Sequence, residues 1–138
     1  IVLIKPALGV ETKWAYSKLA STGTGVRPLS ADHAEIDRRD RLTWRQLAAA
    51  AENDFEVPVF AAHPLLREIR RTLLDLGAQL ALLSGSGATV FGLFSEESAA
   101  RLAGAQLKEN PELKVFVVPT CLGPLRVSQS SSVTPALG

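Results

Sequence analysis

Methionine is absent from these 138 residues, and cysteine occurs once, as Cys121. A lone cysteine permits no disulfide within the chain, which suits a reducing compartment, and hence the cytoplasm or a plastid, better than a secreted setting. Only His33 and His63 accompany it, so the usual Cys/His ligand sets for zinc are missing. Long apolar runs are missing too. Leu80 to Leu83 and Val115 to Val118 are far shorter than the ~18–20 residues of a membrane span, so no membrane partner is expected. Nor is charge of one sign in excess, since 15 basic against 14 acidic residues leave +1. A nucleic-acid binder needs clustered positive charge to neutralise phosphates. The one short basic cluster, Arg38, Arg39 and Arg41, is interrupted by Asp40 and flanked by Asp37, so no nucleic-acid partner is expected.

What is present is a core. Hydrophobic residues make up 46% and charged residues 21% of the chain, a balance that excludes disorder and sets an expectation of one folded domain. The chain opens in mid-strand on Ile1-Val2-Leu3-Ile4 without a methionine, and the expectation is a piece of a longer protein.

The β-branched run Ile1 to Ile4 predicts a strand that stops at Lys5-Pro6, because proline cannot donate to a ladder. Thr12 offers an N-cap hydroxyl to a short helix through Trp14, Tyr16 and Leu19. Ser21 to Ser30 and the polar stretch Asp32 to Asp40 read as loop. Trp44, Leu47, Ala48 and Ala51 recur at helical spacing and predict a helix reaching Asn53-Asp54-Phe55. Pro64 opens a third helix that runs through Leu66, Ile69 and Leu73 until Gly77. Leu80 to Leu83 and Thr89 to Phe94 read as two strands of a hairpin. Ser95-Glu96-Glu97-Ser98 supplies a cap and acidic first turn for a helix through Leu102 and Leu107, ended by Asn110-Pro111, before a last strand from Lys114 to Val118. Ser128 to Gly138 carries no core pattern and reads as a flexible tail, leaving 1–127 as the domain. The fold class is α+β: a ferredoxin-like sandwich with a four-stranded, mainly antiparallel sheet and helices on one face.

One segment asks for more than packing. Ser84-Gly85-Ser86-Gly87-Ala88-Thr89 is a run of small residues whose backbone a ligand can approach, and successive exposed amides there could cradle an anion. It has no Walker lysine and no following helix, so it is not a P-loop. A tight hairpin that needs positive φ explains the same composition. Other polar residues read as structural. His63 caps or packs beside Pro64, Asn53-Asp54 binds local backbone, Arg67, Arg70 and Arg71 form a solvated helix face with Glu68 and Asp75, and Cys121 is incidental.

The glycine segment continues as Val90-Phe91-Gly92-Leu93-Phe94 and follows Leu76-Gly77-Ala78. So arranged, it resembles the third conserved motif of the GHMP kinases. Lys5-Pro6-Ala7-Leu8-Gly9-Val10-Glu11-Thr12 with Tyr16, then Glu52 to Glu56, then Ala62-His63-Pro64 narrow the resemblance to the branch acting on a cytidine-diphosphate-linked methylerythritol in non-mevalonate isoprenoid biosynthesis. The resemblance covers about residues 1 to 127. It implies a kinase using ATP and Mg²⁺ in a cleft between two domains, whose phosphate loop, catalytic Asp and Lys belong to an N-terminal domain outside this sequence. That domain is then the partner, and this chain by itself supplies no catalytic residue and no metal ligand. Thr12 and Tyr16 match the family positions that help hold the cytosine, the ring stacking on one face of the base. Lying four residues apart, they share one helical face. The alternative readings are a plain cap for Thr12, a packing ring for Tyr16, and a stand-alone ferredoxin-like module that binds an effector or another protein.

Overall fold

A computed structural model describes residues 1–21 and 41–120, with Ile36 and Arg38 between them. All but Ser21 of the expected loop from Ser21 to Ser30, most of the polar stretch that follows, Cys121 and the expected tail from Ser128 to Gly138 lie outside the described residues. Among those described, the elements run β1 (Val2–Pro6), α1 (Thr12–Ser21), α2 (Trp44–Ala50), α3 (Glu56–Ala62), α4 (Pro64–Asp75), β2 (Leu80–Leu83), β3 (Val90–Leu93), α5 (Glu97–Leu107) and β4 (Leu113–Val117).

The four strands pair antiparallel in the order β2-β3-β1-β4. Strands β1 and β2 are thus parallel to each other with β3 between them, the split arrangement of a ferredoxin-like sandwich. Val2 stands opposite both Gly92 and Val117, so these three residues share one face of the sheet. On that face Leu73 of α4 lies against Gly92, and Gly104 of α5 lies against Val117. Helices α4 and α5 therefore cover the same side, and their apolar stripes close the core. Ile4, Leu66, Leu73, Leu83, Val2, Val59 and Val90 are the largest fully buried side chains. Each stabilises the fold by roughly 1.5–3 kcal/mol relative to exposure.

Several boundaries differ from the sequence reading, among them Ser21, which belongs to α1 and not to the loop. Strand β1 continues through Pro6, which faces Leu113 of β4, whereas pairing with β3 ends at Ile4. The proline thus sits where its second side has no ladder to complete. The expected helix from Trp44 to Phe55 is two helices, because Ala51 turns out to extended backbone (φ −76°, ψ 115°) and Asn53 Oδ1 accepts the Phe55 N–H at 3.0 Å, an alternative to helical bonding. Helix α2 itself starts in a capping box, Thr43 and Gln46 bonding each other's backbone amides. The cap of α5 falls on Glu96, within the expected run, and makes no side-chain bond.

Candidate functional site

Helix α1 begins at Thr12 itself: the Ala15 N–H donates to the Glu11 carbonyl at 3.0 Å, so the cap position falls on Glu11. The Thr12 hydroxyl meets the glycine turn, where Ser86 Oγ donates to Thr12 Oγ1 at 3.3 Å. One helical turn further, the Tyr16 ring is 59% exposed and rests edge-on against Phe55, ring centres 4.9 Å apart at 76°. The phenol is therefore accessible to anything that enters beside it. Tyr16 lines an open depression of about 490 Å³ together with Asn53, Phe55, Leu83, Ser84 and Gly85. Two of the expected site segments, represented by Tyr16 and Ser84 at a separation of 68 residues, thus meet at one place.

The glycine turn is held on several sides. Ser84 N–H donates to the Thr89 carbonyl at 2.8 Å and Gly87 N–H to the Ser84 carbonyl at 3.0 Å, so two of its amides close the turn itself. Gly85 and Gly87 have φ of 55° and 98°, which side chains rarely adopt. A Cβ on Gly87 meets Leu83 Cδ1 at 3.3 Å and Val10 Cγ2 at 3.4 Å. Ser84 and Gly85 are exposed, Ser86, Gly87 and Thr89 half-buried, and Ala88 belongs to the core.

Behind the turn lies a polar brace. Strand β2 is an edge of the sheet, so its outward backbone groups need partners elsewhere. Asn53 Nδ2 donates to the carbonyls of Leu83 and Gly85, each at 2.8 Å. Glu56 Oε1 accepts the Leu83 N–H at 2.8 Å. Arg70 Nε donates to the Ala81 carbonyl at 2.8 Å and lies 3.6 Å from Glu56 Oε2.

A sequence model described as GHMP kinases C terminal matches residues 32–113. The chain belongs to this family. Among curated relatives, the 4-diphosphocytidyl-2-C-methyl-D-erythritol kinase of Geobacter sp. (strain M21) is 36% identical over 110 residues, 79% of this chain and 36% of that protein. The protein of the same name from Solidesulfovibrio magneticus is 41% identical over 107 residues, 77% of this chain and 36% of that protein. A crystal structure of 4-(cytidine 5'-diphospho)-2C-methyl-D-erythritol kinase superposes with a TM-score of 0.60 at 28% identity, covering 83% of this chain and 40% of that one. Homoserine kinase from Cytophaga hutchinsonii shares the fold, with a TM-score of 0.59 at 19% identity over 83% of this chain and 39% of that one. The chain thus spans well under half the length of the relatives it matches.

Within this GHMP kinase C-terminal fold the polar brace corrects one sequence reading and extends another. Arg70 is not part of a solvated face, since it serves β2; Arg71, with ion pairs of 3.8 Å to both Glu68 and Asp75, is. Asn53 does bind local backbone, and it also reaches across about 30 residues to the turn. No local pattern signals such a reach, because the register of β2 against α3 exists only after folding. His63 packs, with its ring 5.5 Å from that of Trp14. Among the described residues no group of three or more His, Cys, Asp or Glu converges on a point where a metal could sit. None of the described helices is long and apolar enough to cross a membrane.

Proposed function

We propose that the chain is the acceptor-holding C-terminal domain, over residues 1–127, of a cytoplasmic ATP-dependent kinase that phosphorylates a hydroxyl of 4-diphosphocytidyl-2-C-methyl-D-erythritol. The observation that carries this reading is the name shared by the curated relatives and a solved structural neighbour. Supporting it, an exposed aromatic ring and a small-residue turn share one depression, as a ligand with a base at one end and phosphates at the other requires.

In the reaction the acceptor hydroxyl oxygen bonds to the γ-phosphorus of ATP as the bond to the ADP oxygen breaks, and the hydroxyl proton passes to a base. Catalysis of this kind is mostly positioning and charge stabilisation. The described residues hold no carboxylate cluster for Mg²⁺, and Lys and Arg are absent between Gly77 and Ser95. In this reading the metal, ATP and the catalytic groups belong to an N-terminal kinase domain as partner, as the resemblance implies. This chain's residues hold the acceptor. The Tyr16 ring stacks on cytosine, the Thr12 hydroxyl, bonded to Ser86, helps hold the base, and the turn from Ser84 to Thr89 supports the phosphate end through backbone, hydroxyls and shape. Neither nucleic acid nor membrane takes part.

The test is an assay with ATP, Mg²⁺ and the cytidylylated methylerythritol. The 138-residue chain should give no turnover, and the full-length protein should reach the order of 1 s⁻¹ or more. Kinase-like turnover by the chain alone overturns the division of labour. A full-length protein that phosphorylates a different alcohol and not this one overturns the substrate.

A further inference from the structure

Asn53 engages both ends of its side-chain amide. Both Nδ2 donors are engaged, one on the Leu83 carbonyl and one on the Gly85 carbonyl, each at 2.8 Å. The Oδ1 acceptor takes the Phe55 N–H at 3.0 Å, and the Asn53 carbonyl takes the Glu56 N–H at 2.9 Å. One side chain therefore ties together three things: the end of the edge strand, the first glycine of the turn, and the backbone of Phe55. Phe55 in turn is the ring against which Tyr16 rests.

We infer that Asn53 is a positioning residue that sets the spacing between the Tyr16 ring and the glycine turn, an assignment that rests on the proposed function for its catalytic consequence. The geometry explains the residue type. Aspartate has the same shape but turns acceptors toward two carbonyl oxygens; glutamine has the donors on a stem one methylene too long; alanine leaves both carbonyls without this partner. On the opposite side the turn is held by Thr12 through Ser86. The turn is thus pinned to α1 at one end and to the 53–55 segment at the other, and both pins converge on Tyr16. Displacing one pin moves the two ends of the acceptor's site relative to each other, and a misplacement of about 1 Å can cost on the order of a hundredfold in rate.

Two measurements test this. In the full-length kinase, Asn53→Ala and Asn53→Asp should raise the KM of the cytidylylated acceptor and lower kcat, together reducing kcat/KM by about tenfold to a hundredfold, while the KM for ATP stays within about twofold. Asn53→Asp keeps the volume but replaces the donors with a charged acceptor facing two carbonyl oxygens, and Asn53→Ala removes the donors without adding a charge. The second measurement is independent of activity. Tyr16 is the single tyrosine of this chain, so selective tyrosine labelling of the 138-residue chain isolates its ring in NMR spectra. Its cross-relaxation with Phe55 should be present in the unmodified chain and lost in both variants, with the resonances of the remaining core kept. Unchanged acceptor kinetics, or an intact Tyr16–Phe55 contact in both variants, overturns the positioning role. Global unfolding of both variants overturns it as well, since Asn53 then serves the fold at large. If the unmodified full-length kinase does not act on the acceptor, the proposed function fails, and the tyrosine contact decides the positioning of Tyr16 by itself.

Discussion

Ser86 Oγ donates to Thr12 Oγ1 at 3.3 Å, joining the glycine turn to the first turn of α1 across 74 residues of chain. The bond is exposed, so water competes for both hydroxyls and its net contribution to stability is about 1 kcal/mol or less. Thr12→Val should therefore leave the melting temperature nearly unchanged while weakening binding of the cytidylylated acceptor to the full-length kinase. Calorimetric titration beside a thermal melt checks both. A large loss of stability with unaltered affinity makes the hydroxyl a fold element.

Removing the Tyr16 ring should cost acceptor binding ~1–3 kcal/mol through lost stacking. Tyr16→Phe should be close to neutral, because the π-face survives. With the ring 59% exposed and edge-packed on Phe55, the stability cost of Tyr16→Ala should be no more than about 1.5 kcal/mol. Separate KM values for acceptor and ATP read the difference; an equal rise in both returns Tyr16 to packing.

Gly85 and Gly87 both have positive φ, yet a Cβ on Gly85 meets open space and one on Gly87 meets Leu83 and Val10 within 3.4 Å. Gly85→Ala should destabilise by about 1–2 kcal/mol for backbone conformation alone, and Gly87→Val by more. At a temperature where Gly87→Val remains folded, its kcat in the full-length kinase should fall if the turn abuts the phosphate end. Full kcat in a folded variant shows that the glycines serve the hairpin alone.

Glu56 is only 16% exposed and satisfies the Leu83 N–H of the edge strand. Glu56→Ala should cost about 1–3 kcal/mol for an amide left without a partner. Glu56→Gln retains an acceptor and should cost less, and Arg71→Ala, whose ion pairs are solvated, should change stability by under about 0.5 kcal/mol. Chemical denaturation of the three variants ranks them. Comparable losses for Arg71→Ala and Glu56→Ala contradict the brace.

Gly104 lies where a Cβ collides with Val117 of β4. Gly104→Ala should destabilise by about 1–3 kcal/mol through overpacking, and adding Val117→Ala should recover part of that loss. A double-mutant cycle on melting data tests the pair; strictly additive losses place the strain elsewhere.

Local chemistry in the sequence determined most of the elements. Pro64 and Gly77 bound α4 as read, since one has no amide to lose in a first turn and the other takes φ of 96° at the end. The glycine segment and its flanking apolar runs marked the hairpin, and the motifs around Tyr16 and Ser84 marked the family now matched over 32–113. Local pattern does not decide the break between α2 and α3, because a helical period and an Asn-Asp pair compete there; Asn53 settles the outcome with a bond to the nearby Phe55 amide and two bonds to distant backbone. The same holds for Arg70. On a helical wheel it sits among solvated charges, and only the docking of α4 on β2 brings the Ala81 carbonyl within its reach. Sequence thus determined which residues form helices, strands and turns, since those preferences act over a few neighbours. Tertiary structure decided which polar side chains brace the edge strand and which segments meet at Tyr16, since those contacts depend on strand order and helix docking across tens of residues.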